Sequence, residues 1–191
     1  MKIIIIIYIL QIKIKNNRNM EKTIEPAHEI GESLTITDPS QWLSITPEQA
    51  KKIKSLRIEN QTLDGSISLY ALFPDDNIEQ LYFDNCSFSG SDLWILSSFP
   101  SVSRIGFTHC GLKCASLEEL LYSRNPYEEI EVLDLSGNDF EDPMLFVDVL
   151  KKTVVGVRSI KTLIISDNGF DPMIVPLIKD LGKASIGEVV L

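Results

Sequence analysis

The stretch IEVLDLSGNDF at residues 130–140 decides the fold. Its apolar side chains occupy the first, fourth, sixth and eleventh places, and Asn138 occupies the ninth. Leu133 and Leu135 are two residues apart, so in a β-strand they point to one face while Asp134 points to the other. Asn138 falls where the chain must turn off the strand, and a buried amide there can bond to the backbone of the turn. The segment predicts a strand with one buried face, followed by a turn.

The same arrangement recurs along the chain. The best further copies are IEQLYFDNCSF at 78–88, VSRIGFTHCGL at 102–112 and IKTLIISDNGF at 160–170. Their ninth places hold Cys86, Cys110 and Asn168; a fainter copy begins at Ile53, and a truncated last one begins at Ile186. Successive copies start 25, 24, 28, 30 and 26 residues apart, which indicates a repeat protein.

Signals that start helices follow the strands. Asp142 and Asp171 each precede a proline. In each pair the aspartate supplies a capping oxygen, and the proline occupies the first helical position. The sequence SLEE at 116–119 has the pattern of a capping box, TPEQ at 46–49 has a similar start signal, and residues 92–99 form a shorter helical candidate. Alternating strands and helices predict an α/β fold with a parallel sheet.

We expect three regions in the chain. Residues 1–19 lie outside the fold, residues 20–52 form an N-terminal cap with a degenerate strand at 34–36, and residues 53–191 contain about five repeats plus the truncated one. The first region carries an apolar run of eight residues, too short to span a bilayer, and it is either an upstream extension, a disordered or membrane-touching tail, or a signal sequence. Because the pattern stops within a strand, we expect a longer natural chain or a partner covering that edge.

Residues 53–191 resemble the leucine-rich-repeat family, whose pattern is L-x-x-L-x-L-x-x-N/C-x-L. The repeat lengths and the alternation of Asn with Cys at the ninth place resemble its ribonuclease-inhibitor-like branch. The resemblance implies a curved α/β solenoid, with the parallel sheet on the concave side and the helices on the convex side. It also implies that the concave strand face binds a partner.

Carried onto this sequence, the resemblance implies a binding surface made of strand side chains that face solvent. The expected contact residues are Arg57, Glu59, Tyr82, Asp84, Thr108, His109, Asp134, Ser136 and Asp167. This surface is polar and net acidic with Tyr82 as its aromatic anchor, so a protein with a basic patch would suit it. The alternative is that these side chains are simply solvated.

The charge distribution also bears on partners. The formal net charge is −9, but residues 1–19 hold four basic residues and no acid, which leaves 14 basic and 27 acidic residues and a net charge of −13 beyond them. Such an acidic body repels phosphate backbones, so we expect no nucleic-acid partner. We also expect no cofactor, no small-molecule substrate and no membrane partner.

The histidine and cysteine residues do not form a catalytic or metal-binding pattern. His109, Cys110 and Cys114 offer zinc-type ligands close together, but Cys110 takes the buried ninth place and should point away from His109. Cys86 as a nucleophile meets the same objection. Phosphate loops and Ser-His-Asp arrangements do not occur in the sequence, so we expect neither a metal site nor an enzyme.

We therefore expect a cytoplasmic, non-catalytic scaffold for protein–protein interaction, of cytoskeletal or signalling type. Three cysteines are too few for a disulfide framework and favour a reducing compartment; the glycosylation patterns at Asn60 and Asn85 are then coincidental. One alternative is a secreted or cell-surface receptor-type repeat protein with residues 1–19 as signal peptide. Another is the substrate-recognition part of a larger enzyme complex.

Overall fold

The structure, a computed structural model, describes residues 28–30, 32–63, 69–73, 77–88, 99, 101–122, 129–154, 159–181 and 185–191. Its strands are β1 (His28–Ile30), β2 (Ser33–Ile36), β3 (Ser55–Glu59), β4 (Thr62–Leu63), β5 (Gln80–Asp84), β6 (Ser87–Phe88), β7 (Arg104–Thr108), β8 (Glu129–Asp134), β9 (Ser159–Ile164) and β10 (Ser185–Val190). Its helices are α1 (Pro47–Ala50), α2 (Leu69–Leu72), α3 (Cys114–Tyr122), α4 (Pro143–Val154) and α5 (Ile174–Lys179), with a 3-10 helix at Pro39–Ser44. The expected extension at residues 1–19, the first part of the expected cap and the helical candidate at 92–98 lie outside the described residues.

Within the described chain, eight strands form one open sheet in the order β1-β2-β3-β5-β7-β8-β9-β10. β1 runs antiparallel to β2, and all the other neighbours in this sheet are parallel. The short strands β4 and β6 pair with each other, also in parallel. The α/β class and the mostly parallel sheet expected from the sequence are confirmed.

The sheet register aligns equivalent places of the repeats in columns. Partners in the fourth-place column are Leu34, Leu56, Leu81, Ile105, Leu133, Leu163 and Val189. Ile58, Phe83 and Phe107 are aligned in the sixth-place column and are fully buried. These side chains pack with Leu117 of α3 and Phe146 of α4 in one apolar core, so the helices cover this face of the sheet.

The amide of Asn138 joins two repeats at the turn after the strand. Its Nδ2 donates to the carbonyl oxygens of Phe107 at 2.6 Å and Leu135 at 2.8 Å. Its Oδ1 accepts from the backbone N–H groups of Cys110 at 3.1 Å and Leu112 at 3.0 Å. The buried amide therefore satisfies polar backbone groups of its own turn and of the preceding one.

The other ninth-place residues repeat this pattern with different chemistry. Asn168 donates through Nδ2 to the carbonyls of Leu135 and Ile165, and its Oδ1 accepts from the N–H of Asn138. The thiol of Cys86 lies 3.4 Å from the carbonyl oxygen of Ile58, in the place where an amide nitrogen would donate. Cys86 is buried as expected, whereas Cys110 is only partly buried.

At the N-terminal end, the expected strand at residues 34–36 is confirmed as part of β2, which runs parallel to β3. A turn follows, in which Asp38 caps the 3-10 helix and Trp42 is buried against the first strands. Strand β1 was not expected, because its three residues carry no apolar alternation long enough to read.

Helix starts agree with the sequence signals in part. Thr46 and Gln49 form the reciprocal capping box of α1, and the Oδ1 of Asp142 accepts from the N–H of Met144 at 2.8 Å at the start of α4. The carboxylate of Asp171 accepts from the N–H of Met173 in the same way, yet α5 begins only at Ile174, and its N-cap residue, Met173, makes no side-chain cap hydrogen bond. Pro176 lacks an N–H, so the helical bond to the carbonyl four residues earlier cannot form and the helix starts late.

The expected capping box at residues 116–119 is wrong. Helix α3 begins at Cys114, and the N–H of Leu117 donates to the carbonyl of Lys113 at 3.0 Å, so Ser116 lies inside the first turn. The earlier start places Cys114, Leu117 and Leu120 on one buried stripe. Burial of these three residues outweighs the local polar signal.

Candidate functional site

The sheet face opposite the core carries the side chains expected to bind a partner. The register pairs Arg57 with Tyr82, Tyr82 with Gly106, and Gly106 with Asp134. Within the expected set, seven side chains are half-buried and two are exposed. The half-buried ones are Arg57, Glu59, Tyr82, Asp84, Thr108, Asp134 and Ser136, and the exposed ones are His109 and Asp167.

The carboxylate of Asp84 is the centre of a polar network on this face. Its Oδ2 lies 3.0 Å from Nη2 of Arg57, and its Oδ1 accepts from the hydroxyl of Thr108 at 2.7 Å. Nδ1 of His109 lies 3.0 Å from the same Oδ1. Arg57 also donates through Nε to Glu59 at 2.6 Å. We call these five residues the Asp84 network, and together they span β3, β5 and the end of β7.

Electrostatics favour the charged forms of Asp84 and Arg57. Partial burial alone would raise the pKa of Asp84, but the hydrogen bonds from Thr108 and His109 and the charge of Arg57 outweigh it, so the pKa lies below its usual value. The hydrogen bond to Glu59 is the main cause that raises the pKa of Arg57. The face therefore presents fixed charges of both signs.

Two aromatic rings lie against glycines of the neighbouring repeat. The Tyr82 ring covers Gly106, where an added Cβ would overlap the ring, and the imidazole of His109 covers Gly137 in the same way. Burial is the main cause that raises the pKa of the Tyr82 hydroxyl. The sequence did not indicate this role, although Gly106, a glycine inside a strand, is the available signal for a close approach.

The turns after the strands share a left-handed backbone conformation. Asn60, Asn85, His109 and Asp167 have φ between 51° and 58°, and Gly137 has φ 66°. Asn, Asp, His and Gly adopt this region more readily than other residues do, which explains their presence at the eighth place of each repeat. The N–H of each of the first three donates to a carbonyl of the next repeat, so the row is held in register.

A groove of about 390 Å³ opens beside the Asp84 network, at the ends of β3, β5 and β7. Its lining is Asn60, Gln61, Thr62, Asn85, Cys86, Ser87, His109, Cys110 and Gly111. The polar side chains in it are tied to one another: Nδ2 of Asn85 donates to Oδ1 of Asn60 at 2.7 Å, and Ser87 donates to Thr62 at 3.1 Å. The groove is therefore lined with amides and hydroxyls that are already ordered.

The remaining expected residues lie further along the sheet. Oδ1 of Asp134 accepts from the N–H and the hydroxyl of Ser136, at 3.0 and 2.6 Å, so this pair forms its own group. Asp167 lies at the turn after β9. The sequence did not indicate a second ion-pair group, in which Glu131 bridges Arg104 and Lys161 at 2.8 and 3.7 Å. Long charged side chains on adjacent strands carry no sequence signal of pairing until the register is known.

The thiols of the chain are poor nucleophiles. Burial raises the pKa of Cys86 and Cys114, and it raises the pKa of Cys110 to about 12. A thiol reacts through its thiolate, so these groups are suited to packing. The thiol of Cys110 lies 3.2 Å from the carbonyl oxygen of Thr108, whereas the ring of His109 is exposed. Among the described residues, no group of three or more His, Cys, Asp or Glu side chains could hold a metal ion.

Two findings complete the description of this surface. In the part of the chain that the structure describes, no helix has the length and apolar character needed to cross a lipid bilayer. No protein-family model matches the chain, and no curated protein matches it. The role of the Asp84 network is therefore inferred from its own side chains and their geometry.

Proposed function

We propose that the chain is a leucine-rich-repeat solenoid that binds a protein partner through the sheet face around the Asp84 network. Support for the repeat architecture comes from the strand order, which follows the sequence, and from the in-register columns of the fourth place. The hydrogen bonds of Asn138 and Asn168 add to this support, because each links its own turn to the turn before it. In such an architecture the strand face is the natural binding surface.

The observation that carries the binding proposal is the ordered, half-exposed Asp84 network beside Tyr82, whose ring lies against Gly106. Arg57, Asp84 and His109 are held by hydrogen bonds before any partner arrives, and the Tyr82 ring lies on Gly106. Side chains that are already ordered lose little conformational entropy on binding. An aromatic ring with two rotatable bonds is also an economical anchor for a partner.

The chemistry of the face favours a partner with a basic patch. Glu59, Asp84 and Asp134 contribute acidic groups, and a lysine or arginine of the partner could pair with them at the rim. The Tyr82 ring offers a face on which a guanidinium can stack. We propose that the chain is not an enzyme: its thiols are buried or partly buried and their pKa values are raised, and His109 is hydrogen-bonded within the network.

We place the protein in a reducing compartment because its three cysteines are free and lie in or beside the core. One observation favours the secreted alternative, namely that Asn60 and Asn85, which fit the glycosylation pattern, are exposed. They are hydrogen-bonded to each other at 2.7 Å, so two glycans would crowd. Mass spectrometry of the natural protein separates the two proposals; we expect no glycan, and a glycan on either residue would establish secretion.

The experiment for the binding proposal compares three full-length chains as baits. They are the wild type, a Tyr82→Ala/Asp84→Arg double variant, and a Glu48→Arg variant that makes the same change of charge on α1. Proteins captured by each bait are quantified by mass spectrometry, and circular dichroism checks that the baits are folded.

We expect at least one partner to be retained by the wild type and by Glu48→Arg, and to fall at least tenfold on the double variant. Equal recovery on all three folded baits would remove the strand face from the proposal. A purified partner, once identified, should show the same order of affinities by calorimetry.

A further inference from the structure

Exposed apolar side chains collect on two neighbouring helices, away from the Asp84 network. Among the described residues, the large hydrophobic side chains that are exposed are Met144, Leu145, Met173, Leu177 and Leu191. The first four belong to α4, to α5 or to the turn that leads into α5, and these two helices contact each other. Met144 is 57% exposed and Met173 is 79% exposed, so neither contributes to the core.

The two methionines hold the same place in consecutive repeats. Each follows an Asp-Pro pair, and each donates its N–H to Oδ1 of that aspartate at 2.8 Å, Met144 to Asp142 and Met173 to Asp171. The helix caps therefore fix both backbones while leaving the flexible thioether side chains in solvent.

Three phenylalanines of this region, Phe140, Phe146 and Phe170, contact one another. Phe146 of α4 lies 4.8 Å from Phe140 and 4.9 Å from Phe170, measured between ring centroids. Phe146 is fully buried, whereas Phe170 is only partly buried and adds aromatic surface between the two methionines' turns. The start of α4 and the turn into α5 are thus held together by the contact of Phe146 with Phe170.

The preceding helix does not share the exposed methionine. The carbonyl of Lys113 accepts the first helical bond of α3, and the carbonyl of Asp142 accepts the first one of α4. Counted from these residues, α3 carries Ala115 where α4 carries Met144. The fold therefore tolerates a small side chain at this place, and the exposed methionines need another explanation.

Carboxylates surround the exposed apolar side chains. Segments 139–150 and 166–178 contain no lysine or arginine, and their acidic residues are Asp139, Glu141, Asp142, Asp148, Asp167 and Asp171, of which Glu141 forms an ion pair with Lys113. Lys151 and Lys152 lie in the last turn of α4, away from Met144 and Leu145, whereas Lys179 lies in the last turn of α5, two residues beyond Leu177. The surface is an apolar patch with an acidic rim.

We propose that this surface, which we call the methionine patch (Met144, Leu145, Phe170, Met173 and Leu177), docks a basic amphipathic helix of a protein partner. Leucine or aromatic side chains one helical turn apart would pack on the patch, and lysine or arginine side chains beside them would meet the rim. Methionine suits such a role because its unbranched, polarisable side chain adapts to different apolar shapes. A second copy of this acidic chain would bring like charges together, which opposes self-association.

A designed peptide tests the proposal with the full-length chain. The probe is a 14-residue helix made of leucine and lysine, with leucine at helical spacing on one face, titrated by calorimetry at low and at physiological salt. We expect binding that weakens with salt and falls at least tenfold in a Met144→Ser/Met173→Ser double variant. The matched control Leu191→Ser also removes an exposed leucine but lies outside the patch, and it should bind the peptide like the wild type.

Charge and location are tested separately. A leucine–glutamate peptide of the same pattern should bind at least tenfold more weakly than the leucine–lysine peptide, and an Asp148→Lys variant should weaken the leucine–lysine peptide. The Tyr82→Ala/Asp84→Arg variant should bind the peptide normally, so this proposal and the proposal for the strand face can fail independently. Because the substituted side chains are exposed, we expect the variants to fold, and circular dichroism verifies this.

Three results would overturn the proposal. One is equal affinity of the leucine–lysine peptide for the wild type and the double methionine variant. Another is concentration-dependent self-association that the double methionine variant abolishes, because the patch would then be covered by a second copy. The third is tighter peptide binding after removal of residues 1–19, which would assign the patch to the chain's own basic, apolar N-terminus.

Discussion

The two halves of the sheet use different side chains to hydrogen-bond the turn that follows each strand. In the half formed by β5 and β7, the ninth place of the repeat is a thiol, Cys86 or Cys110; in the half formed by β8 and β9, it is an amide, Asn138 or Asn168. Both kinds of side chain donate to carbonyl oxygens of the turn. The amide oxygens also accept backbone N–H groups of the previous repeat, and a thiol is a weaker donor and acceptor than an amide. The amide half is therefore the more strongly cross-linked.

At Cys110, this difference shows that a repeat tolerates a weak donor where the next repeat supplies an amide. Asn138 accepts hydrogen bonds from the N–H groups of Cys110 and Leu112, so the thiol of Cys110 is not needed to satisfy them. The thiol half in turn carries the Asp84 network on its open face, while the amide half carries the methionine patch on its helices. The two surfaces that we propose as binding sites thus lie in different halves and on different faces of the sheet.

The largest expected effect concerns the thiol of Cys110. Its pKa of about 12 instead of 9 lowers the thiolate fraction near neutral pH on the order of a thousandfold. We expect labelling by a soluble alkylating reagent at pH 7.5 to be slower by that order in the folded chain than in urea. Mass spectrometry of the labelled peptides measures the rate, and labelling as fast as in urea would mean that this thiol is not part of the buried column.

Asn138→Ala should cause the largest loss of stability among the ninth-place residues. The change leaves the carbonyl of Phe107 and the N–H groups of Cys110 and Leu112 without this partner in a buried place, and it removes one of the two amide donors to the carbonyl of Leu135. We expect the free energy of unfolding to fall by about 3 kcal/mol, measured by urea denaturation.

The control for this prediction is Asn168→Ala. Asn168 is only partly buried and accepts a single backbone N–H, that of Asn138, so its loss should cost about half as much. Equal losses for the two variants would contradict the view that the amide half is held together mainly through Asn138.

Cys86→Ala should have a smaller effect, about 1 kcal/mol, because it removes a small side chain and weak thiol hydrogen bonds to the carbonyls of Ile58 and Asp84. Cys86→Asn places an amide there and should recover part of that loss if the turn accommodates it as the turn of Asn138 does. Urea denaturation measures both variants. A loss in Cys86→Ala as large as in Asn138→Ala would remove the distinction between the two halves.

The columns of the sheet could be predicted from the sequence because they depend on local spacing. Leu133 and Leu135 reveal their buried face by alternation, and repetition of the segment then implies which residues become neighbours. The position of the Tyr82 ring could not be predicted, since it depends on Gly106 in the next repeat and on the rotamer of the tyrosine side chain. The predicted start of α3 was wrong for a related reason, because the burial of Cys114 against the core determines where this helix begins.

The Asp84 network gives the smallest expected effect and a pH dependence. Because the pKa of Asp84 is lowered in the folded chain, its stabilising contribution is present above its usual pKa of about 4 and disappears as the pH falls through the folded value. We expect Asp84→Asn to lower the free energy of unfolding at pH 7 by about 0.5 kcal/mol, since the ion pair with Arg57 is partly exposed and screened by solvent. Urea denaturation at pH 7, 4 and 3 should show this difference shrinking towards zero in acid.

Thr108→Val, which removes the hydrogen bond at 2.7 Å, should show a smaller change with pH in the same direction. A difference between wild type and Asp84→Asn that stays constant or grows in acid would mean that the network does not hold the carboxylate in its charged form.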